Sequence, residues 1–233
     1  MNYWRKNSYD GLNSLIEEIK DVETLSEYSE YLINQEKGLR KLALRHLSMF
    51  LDAFKEWTVS DKRNFSDWIL STDQTNLSHL LLPHPLKNSA IKSCLIEWIA
   101  NEPQNPIPRK WFGVYFHDLQ SLEMARSLDP DDDLSRSKLA SFILGDMDFA
   151  CHHLPDYFIG DPVSVLNLSA SVSDIISEIK NDDLRKYYAD DLQLTSAMIH
   201  DWIECQSIAE ENFAQWCINQ GRKYPWIKGY HYK

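Results

Sequence analysis

The side chains best suited to chemistry crowd between Gly145 and Pro162, where Asp146, Asp148, His152, His153, Asp156 and Asp161 follow one another closely. If residues 146–153 are helical, Asp148 and His152 stand at i, i+4 and share a face. With Asp146 and Asp161 they form an oxygen/nitrogen metal-binding set, and Asp148, His152 and His153 form a carboxylate-oriented base for a metal-dependent hydrolase. The competing reading is structural. Asp146 is then an N-cap after Gly145, the histidines bond loop carbonyls, and Asp161-Pro162 opens the next helix. Adjacent histidines diverge on a helix or a strand, which disfavours joint ligation, so the structural reading leads and the hydrolase is the alternative.

Two further groups pair acids with a stated chemistry. Asp129-Pro130-Asp131-Asp132-Asp133 lacks the glycine and terminal glutamate of an EF-hand loop and instead suits a helix N-terminus. His200, Asp201 and Glu204 form a base with its orienting acid or, beside Trp202 and Ile203, the wet side of an amphipathic helix. The tail from Arg222 to Lys233 interleaves basic and aromatic residues, a composition that can grip single-stranded nucleic acid or fold back over the last helix.

The charge pattern bears on partners. Residues 1–116 carry 14 Lys+Arg against 15 Asp+Glu, whereas residues 117–233 carry 10 against 20, and the last 22 residues contribute +4. Such an acidic half repels phosphates and attracts basic partners. Its exposed candidates are Asp129, Asp131, Asp132, Asp133, Asp182, Asp183, Asp190 and Asp191. The +4 tail can dock on the acidic face of its own chain or of a neighbouring copy, so a homodimer is compatible with the pattern.

The elements that must position these residues read as helices. Leu39, Leu42, Ala43, His46, Leu47, Phe50, Leu51 and Phe54 form one stripe with Arg40, Lys41, Arg45 and Lys55 opposite, which is an amphipathic helix with a basic outer side. Thr24-Leu-Ser-Glu27 has the capping-box pattern, and Asn88 precedes the periodic run Ile91, Leu95, Ile96, Ile99 as an N-cap. Later helices are expected over 119–128, 134–144, 163–179, 184–205 and 208–219. Only 7 of 233 residues are glycine, and Gly38, Gly113, Gly145 and Gly221 fall where elements end. No stretch alternates at period two. The expectation is an all-α chain, an irregular antiparallel α–α superhelix or helical array of about 9–11 helices, forming a single domain over 1–233 with a soft division near 103–110.

The stretch Leu122, Ala125, Leu128-Asp129-Pro130, then Leu139-Ala140, resembles the junction between two tetratricopeptide repeats over about 25 residues, and segments 39–57 and 88–100 resemble HEAT helices. Pro106, Pro108 and Asp118 depart from the tetratricopeptide pattern, and no fixed period runs along the chain.

Cys94, Cys151, Cys205 and Cys217 have no C-x-x-C spacing, and no G-x-G-x-x-G or G-x-x-x-x-G-K occurs, so no cofactor is indicated. Met1 to Asp10 holds no apolar run, and the longest aliphatic run, Leu80-Leu81-Leu82, is far below the roughly 20 residues of a membrane span. These features lead to a cytoplasmic, non-enzymatic interaction protein with a basic protein partner, of which a bacterial immunity or antitoxin-like protein is one concrete form; membrane and nucleic acid are disfavoured as partners.

Overall fold

Amphipathic periodicity and scarce glycine produce a helical chain throughout. The computed structural model describes residues 6–75, 81–208 and 212–224, and these hold eleven α-helices, one 3₁₀ turn and one π-helical turn, with no strand among the described residues. The all-α helical array expected from the sequence is the observed fold. Among the described residues no helix is long and apolar enough to cross a membrane. Residues 1–5, Leu80 and the tail beyond Tyr224, which entered the sequence reading, lie outside the described residues.

The chain divides into two compact units, 1–115 and 116–233. The division falls one uncharged residue from the point where the charge balance changes, so the first unit is nearly neutral and the second carries the acidic excess.

The first unit contains α1 (Lys6–Ile19), the 3₁₀ turn (Glu23–Leu25), α2 (Ser26–Glu36), α3 (Arg40–Glu56), α4 (Val59–Thr75), the π-helical turn (Leu86–Ile91), α5 (Lys92–Asn101) and α6 (Pro106–Phe116), which ends at the division. Ala43, Leu47, Phe50 and Phe54 form the buried seam of α3, with Arg40, Lys41, Arg45 and Lys55 exposed. Leu39 and Leu42 extend the apolar pattern but lie on the flank of this seam and are 49% and 41% exposed. Tyr28, Phe50, Phe54, Trp57 and Phe65 fill the interior as one aromatic cluster; Tyr28–Phe50 and Phe54–Trp57 have ring centroids 5.2 Å apart, and Trp57 meets Phe65 edge-on at 5.6 Å. Such pairs contribute about 0.5–1.5 kcal/mol each beyond area burial. The Tyr28 hydroxyl, wholly buried, donates to the Leu81 carbonyl at 2.7 Å. Tyr115 fastens α6 to α4, its hydroxyl 2.8 Å from both the Leu70 carbonyl and the Asp73 carboxylate.

Two expected caps do not form. Thr24 lies inside the 3₁₀ turn and α2 starts at Ser26 without a side-chain cap; Glu27 instead bonds His46 Nδ1 at 2.7 Å, a contact between helices that outcompetes the local one. Asn88 sits within the π-helical turn and donates back to the His84 carbonyl at 3.3 Å.

The second unit contains α7 (Leu119–Leu128), α8 (Asp133–Cys151), α9 (Pro162–Ser177), α10 (Asp182–Ile208) and α11 (Phe213–Asn219). Here α8 packs on α7, α9 and α10, α9 also packs on α10, and α11 packs on α10. Aspartates open three of these helices: Asp118, Asp132 and Asp161 accept the backbone N–H of Ser121, Ser135 and Ser164 at 2.8, 3.1 and 2.9 Å. Neither Gly113, buried within α6, nor Gly145 stops its helix. Leu144, Met147, Ala150 and Cys151 continue the buried face across Gly145, whereas Gly38 and Gly221 adopt the positive φ that ends α2 and α11.

Arginine chemistry joins the helices of this unit. Glu178 caps the C-terminus of α9, where the negative end of the helix opposes an anion. Arg126 of α7 offsets this by gripping both carboxylate oxygens at 2.7 and 2.6 Å, and the buried Arg136 of α8 approaches at 3.4 Å while also donating to the Asp132 carbonyl at 2.8 Å.

Gly145 is helical and exposed, and a Cβ there would meet nothing within 4 Å; Gly145→Ala should therefore stabilise the protein by about 0.5–1 kcal/mol in denaturant unfolding, and a lowered midpoint would show that α8 needs glycine there. The hydrogen bond from Arg126 holds the Glu178 carboxyl below its usual pKa. That stabilisation is fully present above the ordinary glutamate value of about 4.3 and is lost as pH falls through the lower folded value. Glu178→Gln should lower stability at pH 7 and flatten the acid limb of the stability curve; an unchanged limb would show that the pair contributes nothing measurable.

Candidate functional site

The Gly145–Pro162 stretch brings its acids and histidines near in sequence without converging them. Asp146 and Asp148 are exposed on the last turns of α8, so Asp146 lies within a continuous helix and is not an N-cap. His152 caps the end of α8 with its ring parallel to Phe149 at 6.5 Å, while His153 stacks on Tyr157 at 4.5 Å, and the two imidazoles stand at 74°. No hydrogen bond joins Asp148 to His152 among the described residues. Asp161 is occupied as the N-cap of α9, and the hydrogen bonds from Ser164 hold its carboxyl below its usual pKa. Among the described residues no three His, Cys, Asp or Glu side chains gather as a metal ion would require; Asp146, Asp148, His152 and Asp161 therefore do not assemble the ligand set that their spacing suggested. The cysteines are buried, and burial pushes the thiols of Cys151 and Cys217 up to about 12, which leaves them protonated at neutral pH.

The acids expected to face a partner divide into two groups. Some hold the fold together. Asp132 caps α8, Asp129 accepts the Asp131 N–H at 3.0 Å, and Asp133 accepts the backbone N–H groups of Lys180 and Asn181, each at 2.8 Å, at the turn between α9 and α10. Asp131 pairs with Lys180, and Asp182 with Arg185. The rest have no counter-ion: no ion pair among the described residues reaches Asp183 and Asp190, exposed on α10, or Asp191 beside them. Asp191 comes under the influence of Asp148 across the α8–α10 packing, and partial burial, reinforced by that neighbouring carboxylate, raises its carboxyl pKa.

Asp201 is not on the wet side of α10. It is 3% exposed, because the chain after α11 folds back onto it. Arg222 reaches its two oxygens at 2.9 and 2.8 Å, and the Tyr224 hydroxyl donates to it. The aromatic–basic tail therefore covers the helix at its described beginning, and the cover consumes Asp201 as a candidate orienting acid; His200 and Glu204 stay exposed.

The first unit holds a concavity that residue spacing did not reveal. A cavity of about 440 Å³ is walled by Ile19, Trp57, Phe65 and Trp68, with Glu18 and Asp61 contributing carboxylates. The spacing of Trp57, Phe65 and Trp68 carries no site signal of its own, and the near-neutral total of the first half conceals a local run of Glu17, Glu18, Asp21, Glu23 and Glu27 opposed by Lys20. Local rather than half-chain charge, set beside the tryptophans, is the signal that finds it.

Comparison with protein-family models, with curated proteins and with solved structures finds no match to this chain.

Proposed function

We propose that this is a non-enzymatic interaction protein whose second unit receives a basic protein partner on carboxylates of α8 and α10. The observation that carries the reading is the set of exposed carboxylates Asp148, Asp183 and Asp190, with the half-buried Asp191, which enter no ion pair among the described residues while every arginine of the unit is engaged elsewhere. Like charges placed together cost free energy in the isolated protein, and a basic partner would relieve that cost. Departures from local electrostatic preference of this kind are expected where a surface serves binding rather than folding. Asp183 and Asp190, seven residues apart, lie on one face of α10 and extend the same negative surface. An immunity-type protein that neutralises a basic toxin is one concrete form of this role.

The test separates binding from folding. The triple reversal Asp148→Lys, Asp183→Lys and Asp190→Lys breaks no side-chain cap or ion pair, and the relief of repulsion at Asp191 offsets the loss of Asp183 from the first turn of α10, so the unfolding midpoint should shift little, whereas reversal of Asp132 and Asp133 would damage the fold. For a partner recovered by pull-down, the association rate should fall at least about tenfold in the triple variant and should fall steeply between low salt and about 0.15 M, where the Debye length is about 8 Å. Asp191→Asn adds a second mark: it should raise the melting temperature at pH 7 and slow association, a gain in stability against function. Association indifferent to salt and to all four changes would refute the proposal.

A further inference from the structure

The aromatic cavity of the first unit has the composition of a receptor for a guanidinium group. Its walls present two indoles and a phenyl ring, Trp57 and Phe65 meeting edge-on at 5.6 Å and Phe65 and Trp68 tilted at 5.7 Å, while Ile19 forms a buried apolar floor. Glu18 and Asp61 supply negative charge, and no basic side chain among the described residues lines the space. Its volume, about 440 Å³, lies within the range of small-ligand sites, about 300–1,000 Å³.

The basic residues nearest in sequence are all turned to other partners. Lys20 binds Glu17 at 2.5 Å, Lys62 donates to the Lys55 carbonyl at 2.7 Å, and Arg63 donates to Glu102 at 2.5 Å. Glu18 is exposed with no ion pair, and Asp61 is held only by Thr58, whose hydroxyl donates to it at 2.7 Å. An apolar occupant would strip water from these carboxylates without replacing it, so the chemistry selects a cation with an apolar or planar body.

The same unit shows that combination already satisfied once. The Arg63 guanidinium lies 5.4 Å from the centre of the Trp98 ring, and Glu102 accepts from both Arg63 and the Trp98 indole N–H, the latter at 2.9 Å. Indole, carboxylate and guanidinium form a closed trio there. The cavity is lined by the same residue types, indole and carboxylate, with no basic side chain among its lining residues. We infer that the Trp57–Trp68 cavity binds an arginine side chain presented by a peptide segment of a partner protein, with the guanidinium stacked on indole and paired with Glu18 or Asp61. This site is separate from the acidic surface of the second unit and stands or falls without it.

Short peptides supply the probe: an unstructured glycine-rich peptide bearing two arginines, and its counterparts with citrulline, which keeps the shape and removes the charge, and with norleucine, which keeps only the apolar chain. Binding to the full chain is followed through the indole N–H resonances of Trp57 and Trp68, assigned by single Trp→Phe changes. The arginine peptide should shift both resonances saturably, at least about tenfold more tightly than either counterpart, and Glu18→Gln with Asp61→Asn should weaken it by about tenfold or more. Glu18 is exposed, so the single variant Glu18→Gln keeps the test open if the double variant fails to fold. The triple lysine reversal in the second unit should leave these shifts in place. Equal binding of the three peptides, no shift at millimolar arginine peptide, or loss in the second-unit reversal with none in Glu18→Gln would each overturn the site.

Discussion

Scarcity of positive charge is the constraint on which the second unit depends. With 10 basic residues for 20 acids in residues 117–233, the unit has few cations with which to tie its helices, and each of its four arginines is placed at a joint. Arg126 and Arg136 meet at Glu178 and bind α7 and α8 to the end of α9. Arg185 donates to the Ile179 carbonyl at 2.8 Å, closing the turn between α9 and α10, and Arg222 returns the chain after α11 to Asp201. A guanidinium suits these positions because its planar set of donors can serve a carboxylate and a backbone carbonyl together. Acids without an arginine partner are left on the surface, among them Asp146 and Asp148 on α8, Asp174 on α9, and Asp183 and Asp190 on α10.

The first unit solves its packing differently. Its interior is aromatic, and its internal cation, Arg63, stands over an indole as well as against a carboxylate. Tilted and edge-on rings interlock through their quadrupoles without requiring charge balance, which leaves the unit's lysines and arginines free to lie on the outer side of α3. One chain therefore joins two compact units with opposite electrostatic economies, one held by rings and one held by a few arginines among many acids.

Much of the fold was legible because it depends on periodicity. The buried seam of α3, the aspartate caps at Asp132 and Asp161, and the helix stops at Gly38 and Gly221 all rest on local rules that a sequence displays directly. The misreadings arose where a distant partner overrode a local one. Glu27 left its capping role for His46, a residue on another helix, and Gly145 was carried through α8 because apolar residues on both sides of it share a buried face. Asp201 looked solvated because Arg222 and Tyr224, its partners, arrive only when the chain folds back.

The candidate sites obey the same distinction. Residues 146–161 are close in sequence, yet residues close along a helix and its following loop radiate from the axis, and His152 and His153 stand 74° apart in consequence. Convergence comes instead from separate elements. Asp148 and Asp191 approach from α8 and α10, and Glu18, Trp57, Asp61 and Trp68 meet from α1, the end of α3 and α4. Both gather carboxylates, and no basic side chain of the described residues lines the cavity. Elements distant in sequence, rather than neighbours along one helix, bring the carboxylates of each unit together, and in the second unit all four arginines are already committed to joints between its own helices.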